Sequence, residues 1–351
     1  MNLGLKLKGT EKVQIYPTKV KESTLVSVCV QTYKHENYIK QCLDGILMQK
    51  TNFEFEILLG EDDSPDRTRE ICIEYADKYP NKIRLFLHDR SNVIYINGNA
   101  TGRYNFIYNL TNAKSKYIAL CPGDDYWTDP LKLKKQVNFL EKNDDVNIVH
   151  TEIDWLNEQD HHIIKNYYKS INYYLPEIYD INHFYLNSKM RTLTFCFRSK
   201  CMEGFSDLLL KNSWTVGDTA LVLYITKNKK IGFIDDCTGV YRRGNETASI
   251  SKNPSKQFNY WKNASSKVKY FFYDYYNLDN KNIKNKLDND YYDNMFNVAI
   301  PAKKFKYIAK SFIYKLFKLR LTKTNIGQLY YGLIVNKKKR IKNLLNYFFI
   351  M

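Results

Sequence analysis

No apolar run in this 351-residue chain approaches the roughly 18–20 residues needed to span a bilayer, which excludes an integral membrane enzyme. The N-terminus carries no hydrophobic signal core, so a cytoplasmic location is expected. There is no C-x-x-C pair. The seven cysteines are an odd number and scattered, and Cys29, Cys121 and Cys196 sit in apolar, strand-like runs. They read as reduced, mostly buried thiols. No helix-turn-helix, zinc-finger or RNA-binding-sheet motif is present, so no nucleic-acid partner is expected. Internal repeats and heptads are also missing.

What is present is an ordinary globular composition, 44% hydrophobic and 26% charged, with heavy aromatics at 15%. The length suggests one large domain with an appendage, or two domains. The net charge of +17 is uneven. Acids concentrate in the first half, and Lys dominates from about Lys252 onward. Such a charge calls for an anionic partner: a phosphorylated substrate, an anionic membrane surface or a nucleic acid.

The stretch Cys121-Pro122-Gly123-Asp124-Asp125-Tyr126-Trp127 organises the chain. The apolar run Tyr117–Leu120 reads as a buried strand ending in a Pro-Gly turn that presents two adjacent carboxylates. In open α/β sheets ligands bind at that strand edge. Two acids side by side repel each other, and a divalent cation is the simplest reason to hold them there. The alternative is a solvated acidic turn ahead of the next helix.

Around this stretch, strands and helices alternate. Leu25–Val30, Phe55–Leu59, Ile83–Leu87, Tyr117–Leu120 and Val146–His150 read as strands, with helical spacing between them, so βαβ units and a mostly parallel sheet are expected. Ser64-Pro65 reads as a helix cap with Pro in the first turn, leaving Glu61 and Asp62 without a structural job. Residues 155–190 read as a mobile connection. Thr192–Phe197, Ile231–Ile234 and Gly239–Arg243 read as further strands. Beyond about Pro254 the chain turns helical, basic and aromatic. Phe305, Ile308, Phe312, Leu316 and Leu319 recur at helical spacing, followed by Lys337–Lys339, Leu344-Leu345 and Phe348–Ile350. This tail suits either an anionic membrane surface or packing as a helical subdomain.

The series Val26-Ser27-Val28 with Thr32-Tyr33, then Glu61 through Thr68, then Gly123-Asp124-Asp125, resembles the family-2 inverting glycosyltransferases over about residues 24–250. The resemblance implies an α/β, Rossmann-like GT-A fold: a mostly parallel sheet flanked by helices, here with a C-terminal helical basic extension. It divides the chain into a leader (1–23), a catalytic domain (24–250) and a helical basic, aromatic region (251–351). By resemblance, Asp125 is the ligand of Mn2+ or Mg2+, Asp124 lies near the metal or ribose, and Asp62 contacts the nucleotide base. Thr32, Tyr33, Glu61, Arg103 and Asn105 fall on donor-binding positions. Arg242 and Arg243 stand near the diphosphate, where positive charge helps. Asp63 and Pro65 replace the family's usual small residue and Thr, and Pro122 replaces an acid.

The catalytic base falls on Asp218. The bland role for Asp218, after Gly217, is to cap the following helix. Trp127 reads as packing under the acidic loop. The Gln-x-x-Arg-Trp motif of processive synthases is missing, which favours single addition. The implied partners are a nucleotide-sugar donor, a UDP-sugar favoured, and a glycan or lipid-linked acceptor, for bacterial surface glycan synthesis at the inner face of the plasma membrane. Two other functions fit less well. A sugar nucleotidyltransferase needs a Gly-rich basic loop where Gln31-Thr32-Tyr33-Lys34-His35 stands, and a non-enzymatic basic binding module leaves the acidic turns unexplained.

Overall fold

The computed structural model describes residues 12–21, 23–187, 189–244, 253–262 and 265–317. The chain forms two compact units. The first comprises residues up to Ser213 plus Gly217–Asn245, and the second Trp214–Val216 with the chain from Glu246 onward.

In the first unit, strands β1 (Val13–Ile15), β2 (Val26–Thr32), β3 (Phe55–Glu61) and β4 (Ile83–His88) are followed by the small hairpin β5 (Ile94–Ile96) and β6 (Asn99–Thr101). Then come β7 (Tyr117–Leu120), β8 (Tyr126–Trp127), β9 (Val146–Asn157), β10 (His162–Ile164), β11 (Ile178–Tyr179), β12 (Cys196–Arg198) and β13 (Lys230–Arg243). The main sheet has the order β1-β4-β3-β2-β7-β12-β9-β13-β11, with β8 against β13 and β10 against β9. Strands β4, β3, β2 and β7 run parallel, as do β9 and β13, while β12 is antiparallel to both its neighbours. The central strands are apolar because helices cover them: every residue of β3 and β7 is buried, and all but Gln31 of β2. The helices are α1 (Ile39–Leu47), α2 (Thr68–Lys78), α3 (Arg103–Asn112), α4 (Lys132–Lys142), α5 (Tyr167–Ser170), α6 (Ile181–Asn187), α7 (Phe205–Lys211) and α8 (Gly217–Ile225).

Four sequence expectations need correction. Ser64-Pro65 does not start a helix. Asp63 takes a left-handed φ of 56°, and α2 begins only at Thr68, whose N–H and Oγ1–H both reach Asp66 Oδ1. The hydroxyl of Ser64 instead accepts the N–H of Lys34 at 3.0 Å. Thr192–Thr194 is a 3-10 turn, and the strand there is only Cys196–Arg198. Residues 155–190 are not a loose connection, since they contain the end of β9 with β10, α5, β11 and α6. The ordering comes from buried acids. Glu152 accepts the N–H groups of Ile153, Tyr168 and Lys169 at 2.8, 2.9 and 3.1 Å. Asp154 accepts Asn166 N–H at 2.9 Å and Lys165 Nζ at 2.6 Å. Lastly, Ile231–Ile234 and Gly239–Arg243 belong to one strand, β13, which shifts register against β9 between Ile234 and Cys237 and again between Cys237 and Val240.

The second unit holds α9 (Pro254–Lys262), α10 (Ser265–Tyr275), α11 (Lys281–Ala299) and α12 (Phe305–Phe317). The helical spacing expected from Phe305 to Phe312 is met, and its apolar side is used within the unit. Ile308 is buried with Phe258, Met295, Phe296 and Ala299, and Phe305 and Phe312 pack on that cluster. Trp214 joins the rings of Phe271 and Phe272 at 4.9 and 5.8 Å. Among the described residues no helix is long and apolar enough to cross a membrane. Leu319, Lys337–Lys339, Leu344-Leu345 and Phe348–Ile350 lie outside the described residues.

Candidate active site

The parallel strands β2, β3 and β7 end at one edge, and short backbone bonds tie their exits together. Asp62 N–H donates to Thr32 O at 3.1 Å, Cys121 N–H to Cys29 O at 3.1 Å and Gly123 N–H to Gln31 O at 2.9 Å. Gly123 is required here. A Cβ on it would stand 2.9 Å from Thr32 Cβ, Thr32 Oγ1 and His35 Nδ1, too close for any real side chain. Thr32 therefore works through its hydroxyl, which lies 3.2 Å from His35 Nδ1 and walls the acidic turn.

Asp125 is almost fully buried. Its Oδ1 accepts the backbone N–H of Arg242 at 2.8 Å, because β8 pairs with β13 and brings that strand's end over the turn. Burial and the neighbouring Asp124 raise its proton affinity well above the carboxylate range, opposed by the Arg242 N–H and by the charges of Arg242 and Arg191. Among the described residues no three His, Cys, Asp or Glu side chains form a metal cage. Two adjacent carboxylates on one turn nevertheless suit a magnesium- or manganese-like ion in their donor chemistry. Such ions commonly take one or two protein carboxylates and complete their shell with substrate phosphates and water.

Asp62 lies at the end of β3. Arg90 Nη1 donates to its Oδ2 at 2.7 Å, while its buried Oδ1 has no partner. Burial pushes its pKa up to about 6, against the pull of Arg90 and with help from Glu61 and Asp63. The Arg90 guanidinium also lies 4.2 Å from the ring centre of Tyr33, so Tyr33, Arg90 and Asp62 form one group. Sequence reasoning missed Arg90. Its signal was available: it follows β4, another parallel strand, at the same edge.

Three residues expected on the donor side also hold the fold together. Glu61 is not spare: it accepts the N–H groups of Asp63 and Ser64 at 3.2 and 2.7 Å and pairs with Arg69, so it closes the turn. Asn105 is buried and donates its amide to Gly60 O at 2.8 Å, where the missing Cβ of Gly60 makes room for it. Arg103 is buried, and its Nη1 donates to Leu209 O at 2.8 Å. Both residues of α3 thus have packing roles as well.

Asp218 stands in the first turn of α8 rather than ahead of it. Its Oδ1 accepts Thr219 N–H at 2.6 Å and its Oδ2 accepts Thr192 Oγ1–H at 3.2 Å. Burial pushes the pKa of the Tyr241 phenol up, opposed by the charge of Arg191 and helped by those of Asp125, Asp124 and Asp218. Arg242 is held by Glu158 at 2.6 Å and by Gln41, with its guanidinium 4.7 Å from the Tyr126 ring. Arg243 is exposed, 5.8 Å from Trp155. Trp127 is buried and donates Nε1–H to Leu193 O at 2.9 Å, so it packs beneath the acidic turn as expected.

Comparison with known proteins gives a consistent result. The chain matches 38% of residues over 123 positions of an uncharacterised protein of Mycobacterium tuberculosis, covering 35% of this chain and 33% of that one. It therefore spans about a third of the first curated relatives it matches. It is 26% identical over 250 residues to the minor teichoic acid biosynthesis protein GgaB of Bacillus subtilis, 68% of this chain and 25% of that protein. Among solved structures it resembles residues 1-349 of S. aureus TarS in complex with UDP-GlcNAc, with TM-score 0.56 and 14% identity over 92% of this chain and 89% of that one. It also resembles the mannosyltransferase PcManGT of Pyrobaculum calidifontis in complex with GDP-Man and Mn2+, with TM-score 0.53 and 14% identity over 94% and 92%. These likenesses establish the GT-A fold. Residues 27–208, more than half the chain, match the profile of Glycosyl transferase family 2, and the chain belongs to that family.

Proposed function

We propose that the chain transfers a single sugar from a nucleoside diphosphate donor to an acceptor hydroxyl, with inversion, in bacterial surface glycan synthesis. The observation that supports this best is the convergence of acids from distant segments: Asp125 under the N–H of Arg242, Asp218 on Thr192 next to the Arg191–Tyr241 pair, and Asp62 at the end of a neighbouring strand of the same edge. The name of GgaB supports the surface-glycan assignment, and the UDP-GlcNAc and GDP-Man bound to the two structural neighbours support a nucleotide-sugar donor.

In this reading the unpartnered Oδ1 of Asp62 accepts a base N–H, and Arg90 with Tyr33 frames the nucleotide. Asp125, with Asp124, would hold Mn2+ or Mg2+, which when bound supplies positive charge opposite the leaving diphosphate. The acceptor oxygen bonds to the anomeric carbon as the carbon–diphosphate bond breaks, and Asp218 takes the hydroxyl proton. Thr192 and Thr219 hold that carboxylate in place. One displacement with one base inverts the centre. Arg242, anchored by Glu158, sets the Asp125 carboxylate through its backbone N–H, while its side chain adds positive charge at the turn.

A thermal-shift screen of UDP- and GDP-sugars with and without Mn2+ or Mg2+ tests the reading. A metal-dependent rise in melting temperature with one nucleotide class is expected, and no response to any nucleotide would remove it. Association of the basic second unit with anionic membrane is a separate part of the proposal. Salt-sensitive co-sedimentation with phosphatidylglycerol vesicles is expected, and its absence would remove that part alone.

A further inference from the structure

Trp155 and Tyr241 are register partners on β9 and β13, with ring centres 4.9 Å apart, and Tyr167 stacks on Trp155 at 4.5 Å. Over this aromatic floor lies Arg191, its guanidinium 5.2 Å from the Trp155 ring and 5.1 Å from Tyr241. Arg243 flanks the same Trp155. Among the described residues neither arginine has an ion pair. Arg191 makes one long side-chain hydrogen bond, Nη1 to Met190 O at 3.5 Å, and its buried Nε has no partner. Arg242 also has a buried Nε without a partner, but its Nη1 and Nη2 are held by Glu158 and Gln41.

A guanidinium positioned on aromatic rings with its donors unused is preorganised for a planar or tetrahedral oxyanion, and phosphate matches it best. The charge of Arg191 reaches Asp125 at the acidic turn, and its place in the chain ties it to the acceptor side. It directly precedes Thr192, whose hydroxyl donates to Asp218, the residue assigned to the acceptor hydroxyl. The nucleotide group, Asp62 with Arg90 over Tyr33, stands on β3 and the segment after β4. We propose that Arg191 and Arg243 bind a phosphate of the acceptor, so that the acceptor is a phosphate-bearing polyol or glycan rather than a neutral sugar. This rests on the transferase reading, with Asp218 on the acceptor side.

The test is calorimetric titration of the full chain with a short glycerol-phosphate oligomer, with maltotriose as the neutral probe and UDP plus Mn2+ as the donor-side probe. Binding of the oligomer but not of maltotriose is expected. Arg191→Gln should weaken oligomer binding roughly tenfold or more and Arg243→Gln by less, with Arg191→Lys restoring part of it. UDP affinity should stay within about twofold in Arg191→Gln. The proposal is overturned if the unaltered chain does not bind the oligomer, if neither glutamine variant weakens it, or if Arg191→Gln loses UDP instead, which would assign the arginine to the donor diphosphate. Arg-dependent oligomer binding in a chain that turns over no nucleotide sugar would leave this subsite standing and remove the transferase reading. Transfer to neutral acceptors unaffected by Arg191→Gln would do the reverse.

Discussion

Arg242 donates its backbone N–H to Asp125 Oδ1 at 2.8 Å across 117 residues of sequence. The last strand of the sheet is thereby fastened to the acidic turn that follows β7. Being a main-chain bond, it survives replacement of the Arg242 side chain. Arg242→Ala is expected to leave metal-dependent UDP binding within about tenfold, with the loss coming from the missing guanidinium charge. Asp125→Ala removes the acceptor as well as the charge and should abolish metal-dependent binding. Calorimetry with UDP and Mn2+ separates the two, and equal losses would contradict a main-chain role.

Asp218→Asn keeps an oxygen that accepts Thr219 N–H and an amide that can donate to Thr192 Oγ1, but it cannot take a proton. Turnover should fall by about 10²–10⁴-fold with donor affinity unchanged. Single-turnover kinetics at saturating donor is the measurement, and an unaltered rate would move the base elsewhere.

Asp62 supplies a pH dependence. Its pKa rises from the ordinary 3.8 to about 6 because it is buried. The folded state therefore binds this proton more tightly than the unfolded chain does. Its contribution to stability is fully present below the unfolded value and is lost as pH rises through about 6. The shift corresponds to about 3 kcal/mol, an upper figure. Chemical denaturation of the ligand-free chain between pH 4 and 7 should show Asp62→Asn losing less stability with rising pH than the parent. Parallel curves would mean that Asp62 titrates normally.

Gly123→Ala should destabilise the chain by roughly 1–3 kcal/mol, since its Cβ would enter the space of Thr32 and His35. Gly102→Ala is the control, because nothing lies within 4 Å of a Cβ there. Urea titrations of both variants decide, and similar midpoints would contradict the tight seam at Gly123.

Glu152→Ala leaves the buried N–H groups of Tyr168 and Ile153, and that of Lys169, without their acceptor. A cost of roughly 1–3 kcal/mol per orphaned buried donor is expected. Hydrogen exchange should localise the loss to residues 165–170, and uniform protection would show that another group holds the segment.

The strands were legible where burial on both faces imposes an apolar run, as in Val26–Val30 and Tyr117–Leu120. The acidic turn was legible because a Pro-Gly break followed by two acids has few structural uses. The 155–190 region was not, because its order depends on Glu152 and Asp154, buried acids that satisfy backbone donors up to 17 residues away. Propensity reasoning sees only local polarity there. Ser64-Pro65 misled for a related reason: the pattern of a cap was present, but the left-handed Asp63 and the bonds to Glu61 extend the loop by several residues before α2. At Asp218 periodicity alone gave a helix start and no chemistry, and only the family resemblance singled it out. Arg191 left no trace in the sequence, since its neighbours Trp155 and Tyr241 come from strands that meet only in the sheet.

The register shifts in β13 make the site sensitive to chain length as well as to residue type. Between Ile234 and Val240 the strand carries three more residues than the matching stretch of β9, from Thr151 to Asp154 (six steps against three). Because side chains alternate sides along a strand, deleting Asp236 would rotate everything downstream by half a repeat. Arg242 would then take the place of Tyr241 beside Trp155 and Arg243 that of Arg242 at Asp125, so the loss of one residue outside the acidic turn would disarm the protein with Asp125, Asp218 and Tyr241 still encoded.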